Sequence, residues 1–176
     1  MPGEAVWRSF FELARSGNDA FLMDLIRQKV SAGGLSLADL GVSEAEYLQA
    51  IHDCFLHAAR RLFASAKTKA DFACFAGCDD YVGTASLTMA ELGTDAEEYE
   101  RVRAASYSES ARFFYGLARA WKLIDLFSPK RRRHERLRNL RVAEERVAEV
   151  GLTLEGIGVD RRDLQRLRST LGDESA

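Results

Sequence analysis

The stretch SEAEYLQAIHDCFLHAARRLFASA, residues 43–66, decides the fold class. Ser43 and Glu46 have the spacing of a capping box, in which the hydroxyl accepts from the third helical amide and the carboxylate reaches back to the cap. Behind them Tyr47, Leu48, Ile51, Cys54, Phe55, Ala58, Ala59, Leu62, Phe63 and Ala66 recur every three or four residues, with Arg60 and Lys67 opposite. That period builds one apolar helical face, and no strand has it.

Outward from this segment the same period continues. Towards the N-terminus it predicts a helix over 4–15 with Trp7, Phe10, Phe11 and Ala14 on one side, closed by Gly17-Asn18. A second covers 19–32, with Phe21, Leu22, Leu25, Ile26 and Val30, ended by Gly33-Gly34. Towards the C-terminus a helix opens at Thr68 with Asp71 as box partner and carries Phe72, Phe75, Val82 and Met89. Gly77 and Gly83 inside it either break it or admit a close neighbour. A further box, Thr94 with Glu97, opens a helix whose stripe runs Tyr99, Val102, Ser106, Ser110, Phe113, Phe114, Leu117, Trp121 and Ile124. On this reading Trp7, Tyr107 and Tyr115 are partly exposed. Ser128-Pro129 stops that helix and starts the next, which runs to about Val150, and a short last helix covers 160–171.

The only prolines are Pro2 and Pro129, and β-branched residues are sparse. The expectation is an all-α fold, a compact bundle of six or seven helices with short connections. Residues 1–128 form its core, and 129–176 supply a basic helix and a short C-terminal helix docked on the same domain.

Composition narrows the function classes. The 176 residues are 47% hydrophobic and 30% charged, with a formal net charge of −2. That is globular material without polyelectrolyte character, so affinity for an acidic partner has to come from a local patch. Three cysteines are an odd set for a secreted disulfide scaffold, no leader is visible at the start, and no apolar run approaches a membrane span. A cytoplasmic protein is expected.

Residues 34–51 (GLSLADLGVSEAEYLQAI) and 151–168 (GLTLEGIGVDRRDLQRLR) share Gly, Leu, Leu, Gly and Val at matching places. Each lies between two helices, and helix–helix corners of this kind recur by chemistry alone, which is preferred here over duplication. Two copies so far apart are too few for a solenoid.

Several groups carry candidate chemistry. Seven bases crowd one segment: Lys130, Arg131, Arg132, Arg133, Arg136, Arg138 and Arg141, opposed only by Glu135. Bases in the first turn of a helix work against its dipole, so local helix physics does not account for them. With Arg161 and Arg162 of the last helix they are the candidate surface for a protein partner or for phosphate. The Gly156-Ile157-Gly158 turn resembles the hairpin of helix-hairpin-helix DNA-binding motifs, whose backbone amides meet a phosphate. It departs from them in lacking a preceding proline, in having Asp160 beside the turn, and in Asp39 at the matching place of the first copy.

His52, Cys54, Cys74 and Cys78 are the candidate metal set, for zinc or iron between the helices at 43–66 and 68–89. Asp79 falls next to the Phe72–Phe75–Val82 face, where a buried acid needs a partner such as His52 or an arginine. Glu91, Asp95, Glu97, Glu98 and Glu100 cluster where a helix N-terminus accepts acids. No nucleophile elbow, phosphate loop or metalloprotease motif is present. The resulting expectation is a non-enzymatic regulatory or adaptor subunit, without cofactor, that binds a macromolecule through residues 130–141. A nucleic-acid-binding subunit, a metal or redox protein, and a homo-oligomer are the alternatives.

Overall fold

In a computed structural model, residues 4–120 and 129–172 are described. Among them are nine helices and no strand. They are α1 (Glu4–Gly17), α2 (Ala20–Ser31), α3 (Leu37–Leu40), α4 (Glu44–Lys69), α5 (Phe72–Ala85), α6 (Met89–Leu92), α7 (Ala96–Arg119), α8 (Pro129–Ala148) and α9 (Arg161–Leu171). The fold is all-α, as its period requires. The count exceeds six or seven because α3 and α6 are single turns, too short to show a period in sequence.

The helices gather into two compact units. One comprises the residues up to Ser65 together with Ala73–Tyr99, and the other Ala66–Phe72 with the residues from Glu100 onward. This grouping places most of α7 with α8 and α9.

In the first unit the core holds Phe11, Met23, Ile26, Leu40, Cys54 and Phe55, each at most 1% exposed. Burying side chains of this size contributes roughly 1.5–3 kcal/mol apiece. The Ser43–Glu46 box forms as its spacing predicts, with Ser43 N donating to Glu46 Oε2 at 2.9 Å and Glu46 N to Ser43 Oγ at 3.3 Å. Ahead of it a second box, Ser36 with Asp39, closes the single turn of α3, which ends on Gly41 at φ 70°. The segment 87–93 repeats the arrangement: Thr88 boxes with Glu91, and α6 ends on Gly93 at φ 81°.

Three expectations are corrected here. Helix α4 runs on through Thr68 to Lys69, so Thr68 does not open α5; left-handed Ala70, φ 50°, breaks the chain before Phe72. Helix α5 is continuous through Gly77 and Gly83 but stops at Ala85, where Ser86 turns left-handed, so Met89 belongs to α6. Gly77 serves a close approach, since a Cβ there would stand 3.1 Å from Leu62 Cδ1. The cap of α7 is Asp95, one residue later than expected, with Glu98 N donating to Asp95 Oδ1 at 2.7 Å while Thr94 Oγ1 donates to Glu98.

In the second unit Leu140, Ala143, Val147, Leu164, Leu167 and Leu171 pack with Ala111, Tyr115 and Ala118 of α7. The expected stripe on α7 holds at Tyr99, Val102 and Ser106, all buried, and departs beyond them: Phe113 is 62% exposed, whereas Tyr107 and Tyr115 are buried. Tyr107 meets the Phe72 ring edge-on at 5.0 Å, and the Arg146 guanidinium lies over Phe72 at 4.0 Å. Trp121 and Ile124 lie outside the described residues.

Candidate interaction surface on helix α8

Helix α8 carries the whole basic run, and its arginines divide by what they touch. Arg133 donates through Nε to the carbonyl of Leu171 at 2.7 Å, and Arg136 through Nε to the carbonyl of Ala118 at 2.7 Å. Both carbonyls belong to the last turn of their helices, where acceptors face the negative end of the helix dipole. These two bases are therefore structural: they close the ends of α9 and α7.

Arg131, His134, Arg138 and Arg141 are all exposed and follow one another at three, four and three residues, a single stripe along α8. Arg138 is 70% exposed, and its ion pair with Glu135 spans 3.8 Å, a weak surface contact. The side chains of Lys130 and Arg132 lie outside the described residues.

On α9, Asp160 caps the helix by accepting from Arg162 N and Asp163 N, and the side chains of Arg161 and Arg162 are exposed. Arg168 is held by Glu144 at 2.5 Å. The Gly156-Ile157-Gly158 turn does not offer amides to a phosphate. Gly156 N donates to Thr153 Oγ1, Ile157 N to the Thr153 carbonyl and Gly158 N to the Glu155 carbonyl.

The thiols and His52 do not converge. Cys54 Sγ donates to the Ala14 carbonyl at 3.4 Å, and burial pushes its pKa up to about 11. Cys78 is equally buried, and burial raises it to about 11 too. Cys74 reaches Ser65 Oγ at 3.5 Å. His52 Nε2 lies 3.0 Å from Glu91 Oε1, in a shallow groove that Leu48, Thr84 and Ser86 also line. Two residues along a helix turn a side chain through roughly 200°, so His52 and Cys54 face apart. Among the described residues, no group of three or more His, Cys, Asp or Glu could hold a metal ion.

Asp79 is exposed rather than buried, and its partner is the Tyr99 hydroxyl at 2.7 Å, not His52. Within the acidic cluster, Glu91 boxes with Thr88, whose hydrogen bonds hold the Glu91 carboxyl below its usual range, Asp95 caps α7, Glu98 accepts from Thr94 Oγ1 and Glu100 pairs with Arg103. Among the described residues, no helix is long and apolar enough to cross a membrane. Compared with known protein families, characterised proteins and solved structures, the chain matches none.

Proposed function

We propose that this protein is a non-enzymatic helical adaptor or regulatory subunit that binds an acidic protein surface through the outer stripe of α8. One observation carries the reading. Once the bases that close helix ends are set aside, His134, Arg138 and Arg141 stand in file on one exposed face of α8. Structural demand accounts for Arg133 and Arg136 but not for these. Exposed guanidinium groups suit carboxylates because their forks pair with them bidentately.

Protein is favoured over nucleic acid because the one turn that resembles a phosphate-binding hairpin has its amides engaged internally. The test is binding of labelled polyglutamate and of a mixed-sequence oligonucleotide over a salt series, comparing the parent with Arg138→Glu/Arg141→Glu. Polyglutamate binding that weakens with salt and is lost in the variant supports the reading. Preference for the oligonucleotide moves the site to nucleic acid. No binding of either at about 20 mM salt, where the Debye length is longest, ends both.

A further inference from the structure

We infer that the chain is a tandem array of one helical module present three times, and that the basic opening of α8 is an addition to the third copy. The three corners are the first indication. Leu35–Tyr47, Leu87–Tyr99 and Leu152–Leu164 read LSLADLGVSEAEY, LTMAELGTDAEEY and LTLEGIGVDRRDL. In each a hydroxyl residue (Ser36, Thr88, Thr153) accepts from the amide three residues on. Each turn then ends on a left-handed glycine, Gly41, Gly93 or Gly158. The same backbone bond closes each: Val42 N to Leu37 O, Thr94 N to Met89 O, Val159 N to Leu154 O. The middle copy is hidden in sequence, because the helical spacing of Phe72, Phe75 and Val82 runs on to Met89 across it.

The likeness extends well beyond the corners. At a spacing of 52 residues Phe11, Phe63 and Tyr115 correspond, as do Ala14, Ala66 and Ala118, and all six are buried. Ahead of the corners Met23, Phe75 and Leu140 correspond, each fully buried. After them come Tyr47, Tyr99 and Leu164, then Cys54, Ser106 and Leu171, again all buried.

Amphipathic helices laid over one another agree at buried positions whatever their origin. The polar and turn positions discriminate better. Arg8, Arg60 and Arg112 stand at the 52-residue spacing, and each reaches the corner that follows it. The Arg8 guanidinium lies against Gly41, Arg60 Nε donates to the Glu91 carbonyl at 2.8 Å, and Arg112 Nη2 to the Ile157 carbonyl at 3.1 Å. Arg15, Lys67 and Arg119 are the bases of the last turns of α1, α4 and α7. Asn18 and Ala70, the residues that break the chain after α1 and α4, share φ of 49° and 50°. Packing alone demands none of this coincidence, and duplication supplies it directly.

The module is therefore a long helix, a break, a second helix and a capped corner: α1 to α3, α4 to α6, then α7, α8 and the 153–158 turn, with α9 starting a fourth. Only the third copy departs in length. Its corner comes 65 residues after the second, not 52, and the register places Leu137 opposite Phe72. The first two turns of α8, with Arg131, Arg133 and Arg136, have no counterpart ahead of α2 or α5.

The full-length chain tests this by self-replacement. In one variant residues 8–59 are replaced by a second copy of 60–111, which keeps length and register. In another they are replaced by 58–109, two residues out of step. The first is expected to keep the parent's helical circular dichroism and a single cooperative urea transition, and the second to lose that transition. Unfolding of the first, or equal tolerance of both, overturns the inference. A smaller exchange, residues 35–47 for a copy of 87–99, disturbs the fewest contacts; it must unfold cooperatively, and its failure overturns the inference by itself.

Discussion

Arg133 on α8 donates to the carbonyl of Leu171, the last residue of α9. A base that its own helix electrostatically disfavours is thus fixed at the negative end of another. With Arg136 on Ala118 the pattern occurs twice. Arg133→Ala and Arg136→Ala should each cost about 1–2 kcal/mol, because a charged donor leaves an open carbonyl. Arg138→Ala should stay within about 0.5 kcal/mol. Urea denaturation measures all three, and equal midpoints for the three variants would remove the distinction between structural and outward bases.

The buried thiols set an alkaline limit. Cys54 and Cys78 hold their protons to about 11 when folded, against 9.0 for a free thiol. Between those values the unfolded chain binds fewer protons than the folded one, so stability is full below about pH 9 and falls towards pH 11. The parent's urea midpoint should drop across that window more steeply than that of Cys54→Ala/Cys78→Ala. Parallel profiles would show that the thiols are not the cause.

Capping boxes set the acid limit. Asp39, Glu46 and Glu91 are all held below their ordinary pKa by hydrogen bonds from their Ser or Thr partners. Their contribution is present above the unfolded values of 3.8 and 4.5 and is lost as pH falls through the folded ones. Glu91→Gln should be less stable than the parent at neutral pH, with the gap closing as pH falls below the ordinary glutamate value of 4.5. A gap independent of pH would mean that the carboxylate's charge plays no part.

Two glycines of α5 should respond oppositely to alanine. At Gly83 a Cβ meets nothing within 4 Å, so Gly83→Ala should stabilise by about 0.5–1 kcal/mol through helix propensity. At Gly77 the added carbon crowds Leu62 at 3.1 Å, and the same substitution should gain nothing or lose. Thermal denaturation decides, and matching shifts would argue that Leu62 moves aside freely.

The fold class was legible because long helices repeat their period many times. Ser43–Glu46 was legible because a single cap-type residue precedes its helix. At Thr94-Asp95 two cap-type residues stand together, and spacing cannot choose between them. On α7 hydrophobicity favoured Phe113 over Tyr115, yet the packing buries the tyrosine and exposes the phenylalanine. Within the basic run charge was legible but destination was not. Arg133 and Arg138 look alike in sequence, and only the position of Leu171 tells the capping base from the outward one.

The unequal burial of the three thiols has a practical side. Cys54 and Cys78 are shut in the interior, while Cys74 is only half covered beside Ser65. A maleimide dye should therefore settle on one position of the native chain, giving a uniform fluorescent reporter without first engineering any cysteine away.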